Sequence, residues 1–430
     1  MARVVVVGGG FGGLASALRL AKLGHAVTLV EEHELGGALV PVTQDGFAWD
    51  TVTYTLLPGV VRDLFRKSGR PLDKELELTQ LDCLREHWFE DGTSLVLSAG
   101  RTTQLEAFDS LAAGLGGRWS AHVDAYADDW EVIRRQYAEV PWDREHLAPE
   151  IAARLDSRES LRKRLRARLP DDRSRLVAAH PFAAEGHDLR DVPAWAGLTA
   201  YLEQRLGAWA FTGGTVALLE ALVRRLDTRK VAVVRGRAHD IVVRGGRAVG
   251  VATAAGELDA DVVVCAVDPR RLPALAESVR RTVPAIPAAT TYLGLAGAVP
   301  DLPHELVVHG AQTLVLRTLG RAPDGHHAWT VRSRGTHDDP VTALARHGLD
   351  VRDRVVTRVD LSPRDLVEGW GGSPLGVRWQ GRSTVRRRLG PRTPIAGVYA
   401  AGSHATPGSG LPFVGLSASL VAQAVGPPTA

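Results

Sequence analysis

The sequence predicts an α/β protein with a parallel sheet, interrupted along the chain by an inserted α+β region. Three observations carry this. The N-terminus runs strand, glycine turn, helix, strand; a block with helical periodicity follows at 101–206; strand–helix alternation then resumes up to a second glycine-rich constellation near the C-terminus.

The first strand is predicted at 3–7, a run of valines. It leads into Gly8-Gly9-Gly10-Phe11-Gly12-Gly13, a helix over 14–23 and a strand ending at Glu31. Gly8, Gly10 and Gly13 fill the pattern G-x-G-x-x-G of a Rossmann-like dinucleotide site. The first glycine turns tightly, the second lets backbone approach a pyrophosphate, and the third lets helix pack on strand. Free N–H groups and the positive dipole end at the helix start favour phosphate there. Glu31 stands where a carboxylate accepts both hydroxyls of an adenosine ribose, and its charge repels a 2′-phosphate. A single fingerprint of this kind gives no indication of a nicotinamide partner.

Next come Gly36-Gly37, a hairpin expected around 39–42, and Gly46 to Asp50. In the helical block Leu105, Phe108, Leu111 and Leu115 recur at helical spacing, followed by Trp119, Val123, Tyr126, Trp130, Ile133 and Tyr137. These mark the inner face of a helical layer, packing the core and lining a pocket in part. Behind Gly213-Gly214 a helix is predicted at 215–226, with strands at 231–235, 239–244, 247–253 and 261–266, and Gly245-Gly246 as a two-residue hairpin turn. The apolar run 262–266 suits a strand covered on both faces. Short strands are expected between 290 and 333. A strand near 397–401, the turn Gly402-Ser403, a loop over 407–415 and a buried small-sided helix at 416–425 close the chain, and the tail 426–430 is expected to be disordered.

Composition bounds the function. A chain of 430 residues, 45% hydrophobic, can bury a large core and suits two domains. Its formal charge of +3 is small, and its 49 acidic residues are interspersed with the basic ones, so nucleic-acid binding is not implied. Cys83 and Cys265 offer neither a disulfide framework nor metal-ligand spacing, and Cys265 reads as a small buried hydrophobe. A reducing cytoplasm is expected: the first strand begins at Arg3, leaving no room for a signal peptide, and no apolar run reaches the ~18 residues of a span. Two basic amphipathic stretches leave open a peripheral contact with the inner membrane face. Leu56, Leu57, Val60, Val61, Leu64 and Phe65 lie beside Arg62, Arg66 and Lys67, and Leu155, Leu161, Leu165 and Leu169 flank the basic run 154–168. An ordinary solvated face is the alternative.

Taken in order, segments 4–13, 207–215, 302–308, 399–403 and 407–415 resemble the bacterial phytoene desaturase (carotenoid desaturase) family of the flavin amine oxidase superfamily. The resemblance implies a glutathione-reductase-type FAD-binding domain, discontinuous at 1–75, 207–275 and 378–430. It also implies a substrate domain of helical insertion plus β-sheet at 76–206 and 276–377, one noncovalent FAD and an apolar substrate. Carried over residue by residue, it assigns Gly8, Gly10, Phe11, Gly12 and Gly13 to the pyrophosphate, and Glu31 and Glu32 to the ribose side. It assigns Gly36, Gly37 and Ala38 to the following loop, the backbone of Ala238 to the adenine, and Gly402 and Ser403 to the flavin phosphate. Leu411, Pro412, Phe413 and Val414 fall at the ring, with the Val414 N–H facing its pyrimidine edge.

The sequence also departs from the family. Ala38 replaces a usual arginine, Asp50-Thr51-Val52-Thr53 replaces an acidic residue followed by a small residue, glycine and proline, and Thr212 replaces a basic residue. The usual Thr-His-Pro-Gly becomes Ala405-Thr406-Pro407-Gly408 with a histidine displaced to His404. The chain is also shorter than typical carotenoid desaturases, with less room for a forty-carbon chain.

The expected chemistry is hydride transfer from a substrate C–H to flavin N5 with loss of a neighbouring proton, forming C=C in an isoprenoid, polyene or polyketide-like substrate, with oxygen or a quinone as electron acceptor. His404, Thr406 and Ser409 are the candidate polar groups for the proton, His304 reads as structural, and no metal is expected. Alternatives are a redox-neutral isomerase or cyclase, a saturase, a non-catalytic flavin protein, or an amine oxidase. Many amine oxidases place a lysine near flavin N5, but none follows Lys230 here.

Overall fold

The computed structural model describes residues 1–143, 147–335 and 338–428. Its five-stranded sheet is entirely parallel, in the order Val398–Ala400, Val262–Cys265, Arg3–Val7, Ala26–Glu31, Ala232–Arg235. Strands from the two ends of the chain and its middle thus pair side by side. Val4 to Val7 are all buried, as a parallel sheet covered on both faces requires. Burial pushes the Cys265 thiol up to about 12, which fits an inert packing role.

The helix behind the glycine run is Phe11–Leu23, starting three residues before the expected position. Low helix propensity hides its first turn, yet Gly12 and Gly13 must lie in it for the turn to pack. The C-terminal helix likewise spans Leu411–Val425, five residues longer than expected, because Pro412 is tolerated in a first turn. These two helices share one core, in which Leu14 and Leu18 meet Ala418 and Val421. The expected hairpin moves from 39–42 to Val42–Gln44 with Phe47–Trp49, since Gly37–Leu39 is a 3-10 turn. A strand absent from the sequence reading, Gly256–Asp259, pairs with Arg247–Thr253. The tail does not dangle through 428: His25 Nε2 lies 2.8 Å from the Gly426 carbonyl, and Pro428 sits over Gly24. Thr429 and Ala430 lie outside the described residues.

A second sheet has seven strands in the order Val355–Leu361, Ala289–Ala296, His326–Arg334, Thr313–Arg317, Glu305–Val308, Arg85–Trp88, Ser94–Leu97. Period-two alternation divides its faces. Leu293, Leu306, Leu316, Trp329 and Val331 join Val341 and Leu344 of the helix Pro340–Arg346 in one core. The opposite face looks toward the helical layer. In that layer Trp119, Val123, Tyr126, Ile133 and Tyr137 are buried as the spacing predicts, with Trp130 partly so.

Both amphipathic stretches turn their apolar sides inward. Val61, Leu64 and Phe65 of Pro58–Ser68 are buried, with Arg225 stacked 4.4 Å over the Phe65 ring, and Leu155, Leu161, Leu165 and Leu169 are all at most 3% exposed. Core packing has therefore used the apolar faces that membrane contact would need. Among the described residues no helix is long and apolar enough to cross a membrane.

Phe108 stacks on Trp119 at 4.2 Å, and the indole N–H donates to Gln104 Oε1 at 2.8 Å. Phe108→Ala is expected to cost about 3–5 kcal/mol through cavity formation. Denaturant unfolding checks it, and a loss below about 1 kcal/mol would contradict this packing.

Candidate functional site

Backbone contact closes the N-terminal glycine loop. A Cβ on Gly13 would lie 1.8 Å from the Gly8 carbonyl oxygen, and one on Gly12 would lie 2.7 Å from the Gly402 Cα. A Cβ on Gly10 would meet nothing within 4 Å, so that side of the loop is open. The N–H groups of Phe11, Gly12 and Gly13 begin the helix without acceptors among the described residues, a ready donor set for an anion. Gly36 backs the loop, its N–H donating to the Gly9 carbonyl at 2.8 Å, and Gly37 lies against Gly10.

Glu31 is fixed at the end of its strand: Oε2 accepts from the Gly9 N–H at 2.5 Å and Oε1 from the His33 N–H at 2.8 Å. Glu32 is instead engaged by Arg271 at 2.6 Å, a hydrogen bond that holds its pKa down. Ala238 begins the strand Ala238–Arg244, half-buried in a cluster with Val234 and Val267.

At the other terminus, Gly402 is buried with its N–H donating to Ser417 Oγ at 2.8 Å, and Ser403 is half-buried beside it. The early helix start changes the donors available here. The Val414 N–H is spent on the Gly410 carbonyl at 2.9 Å, so it does not serve a ring edge; Leu411 and Phe413 carry the first-turn N–H groups without a helical acceptor.

One cavity of about 410 Å³ joins these loops to the helical layer. Phe11, Gly36, Ala38 and residues 407–414 line one part, while Ile133, Tyr137, Phe182, Trp195, Leu198 and Trp379 form apolar walls elsewhere. Of the three groups expected to handle a proton, only Ser409 reaches this wall. His404 lies behind it with Nε2 3.1 Å from the Ser373 carbonyl, and burial pushes its pKa down. Thr406 is fully buried there, its N–H bonded to the Leu389 carbonyl.

The cavity floor is charged. Strand register sets Glu305 directly opposite Arg317, and places Glu305 beside Arg85 by pairing Leu306 with Glu86. Arg85 binds Glu203 and lies 3.1 Å from Glu305, while Arg317 lies 2.8 Å from Glu305 and donates to the Thr51 carbonyl at 3.2 Å. Burial alone would raise the Glu305 carboxyl, but Arg317, His180 and Arg85 outweigh it and hold it well below the usual range. His87 and His309 adjoin this network, with Nδ1···Nε2 at 2.8 Å. His304 is buried edge-on to Tyr54, consistent with a structural place.

Asp50 also lines the cavity. Its Oδ2 accepts from the Thr215 N–H at 3.2 Å, its Oδ1 has no hydrogen-bond partner and lies 3.8 Å from Arg321, and burial raises its pKa. The sequence reading missed Asp50 and the Arg85–Glu203–Glu305–Arg317 group as site residues. The available signal was a lone charge in an otherwise apolar strand, as Glu305 in Glu305-Leu306-Val307-Val308. No group of three or more potential metal-ligating side chains occurs among the described residues.

The family model described as flavin containing amine oxidoreductase matches residues 11–426. The chain is 27% identical to the zeta-carotene-forming phytoene desaturase of Myxococcus xanthus, over 98% of this chain and 93% of that protein. It is 29% identical to the hydroxyneurosporene desaturase of Cereibacter sphaeroides, over 98% and 97%. A solved oxidoreductase from Methanosarcina mazei matches the fold with a TM-score of 0.67 at 17% identity, covering 97% of this chain and 99% of that one.

Two outcomes are expected. Gly13→Val should abolish flavin retention, measured as the flavin-to-protein absorbance ratio, and full retention would contradict the loop closure. Burial holds His304 and His309 down at about 4 and His122 at about 3, against an ordinary 6.5. The unfolded chain then binds more protons below pH ~6.5, so stability should fall as pH drops from there toward 4. Urea midpoints at pH 7.5 and 5 check the sign.

Proposed function

Because this chain belongs to the flavin containing amine oxidoreductase family, we propose that it is an FAD-dependent oxidoreductase that introduces C=C bonds into an apolar isoprenoid or polyene chain. The observation that carries this reading is a single cavity lined both by the two glycine-rich termini and by an aromatic, apolar wall. FAD fits the first part. The open side of Gly10 and the free N–H groups of Phe11, Gly12 and Gly13 suit a pyrophosphate, and Glu31 suits a ribose. Ala238 would adjoin the adenine, with Gly36, Gly37, Ala38, Gly402 and Ser403 around the remainder.

Bound FAD supplies two-electron oxidation of a C–H bond. The chain supplies position and environment. Trp195, Phe182, Leu198 and Trp379 hold an apolar chain and exclude water. The start of Leu411–Val425, with the Leu411 and Phe413 N–H groups, favours negative charge developing beside it. Asp50 Oδ1 accepts the proton lost from the neighbouring carbon, its basicity raised by burial. Ser409 helps orient the substrate from the same wall. No lysine lines the cavity among the described residues, which disfavours amine oxidation. Oxygen or a quinone is the proposed electron acceptor.

The purified protein should be yellow and bleach anaerobically on adding a polyene; a protein that stays colourless after FAD reconstitution defeats the reading. Asp50→Asn should keep its flavin yet bleach at least about 100-fold more slowly. An unchanged rate would remove Asp50 from the proton role.

A further inference from the structure

Most charges on the cavity floor compensate one another. Arg85 and Arg317 face Glu203 and Glu305, two cations against two anions in mutual contact. Arg332 differs. It lies on His326–Arg334 with its side chain on the cavity face beside Thr330, while Trp329 and Val331 point into the opposite core. Its cross-strand neighbours are Thr290 and Val315, neither an acid. Among the described residues its guanidinium has no ion pair and no hydrogen bond; Glu185, on the same cavity, contacts His187 at 3.5 Å. Burial pushes Arg332 down to about 10, which leaves it a cation at neutral pH. The next outward-pointing arginine on the strand, Arg334, is used up on the carbonyls of Ala184 and Ile286.

An unpaired guanidinium on an apolar cavity is costly unless something else completes it. Its planar donor fork matches a carboxylate in two parallel hydrogen bonds. Glu185 and Glu305 act on Arg332 only through space, without contact, so it presents one free guanidinium fork, and a single fork favours a carboxylate over a diphosphate. Its place along the strand is informative too. Thr330 pairs with Tyr292, whose ring lies 5.7 Å from Trp49 beside Asp50, and Arg332 lies two residues, about 7 Å, further along.

We propose that the substrate of this cavity is a polyene or isoprenoid chain ending in a carboxylate, the carboxylate bound by Arg332 and the chain lying across Thr330 and Tyr292 toward Asp50. This rests on the reading of the cavity as the site of oxidation. The flavin-loaded protein is titrated with farnesoic acid and all-trans-retinoic acid, each against its methyl ester, following quenching of protein fluorescence, since Trp195, Trp370 and Trp379 line the cavity. At least one acid should bind about ten- to a hundredfold more tightly than its ester. Arg332→Gln should erase that preference while leaving ester affinity, flavin content and melting temperature unchanged, and Arg332→Lys should restore part of it. Equal binding of acid and ester by the unmodified protein overturns the proposal, as does equal loss of both in Arg332→Gln. An Arg332-dependent acid preference without anaerobic bleaching would sink the oxidation reading and leave only the binding of a carboxylate by Arg332 standing. Bleaching by hydrocarbon polyenes with no acid preference would do the reverse.

Discussion

Everything in this molecule hangs on backbone touching backbone at the start of the first long helix. Gly13 rests on the Gly8 carbonyl and Gly12 on Gly402, at separations no Cβ could share. The first contact closes a loop; the second brings the C-terminal turn, some four hundred residues away, onto the same helix end. Once both are made, the helices Phe11–Leu23 and Leu411–Val425 pack together, and each presents unspent N–H groups at its start. Two positive helix ends thereby border one cleft, which suits a ligand with phosphates at one end and an electron-accepting ring at the other.

The second sheet works differently. Its inward face carries charge into a chamber otherwise walled by aromatic and aliphatic groups. Buried ion pairs are seldom a net gain in stability, and removing one partner alone leaves an uncompensated charge. Strand register keeps Arg85, Glu305 and Arg317 in contact through pairings that shift every side chain to the other face if they slip by one residue. This rigidity lets a neighbouring position, Arg332, stay unpartnered and aimed at the cavity.

The family resemblance and the local structure agree where backbone is concerned and part where side chains are concerned. Glycines and helix ends offer N–H groups, which suit a nucleotide whatever the side chains at Ala38, Thr212 and Ala405. The side-chain differences gather in the chamber, where this chain carries Asp50-Thr51-Val52-Thr53 and a charged floor. His404 shows the hazard of placing chemistry by proximity in sequence: it is close to Ser409 along the chain, yet a buried segment turns it behind the wall.

By itself the sequence determined the dinucleotide unit, the α/β framework, the helical insertion and its inner aromatic face. Each of these follows from local spacing: glycines where a turn forbids a side chain, valines where a strand is covered twice, aromatics every three or four residues. Both long glycine-flanked helices were legible in kind and misplaced at their starts, because glycine and proline mask a first turn. Only the tertiary structure decided which residues share the cavity. Arg85, Glu305, Arg317 and Arg332 come from four strands, Glu203 from a helix and Asp50 from the residue just past the strand Phe47–Trp49, and no local pattern encodes the register and crossover that bring them together. The same holds for the amphipathic stretches, since whether an apolar face meets membrane or core depends on what packs against it.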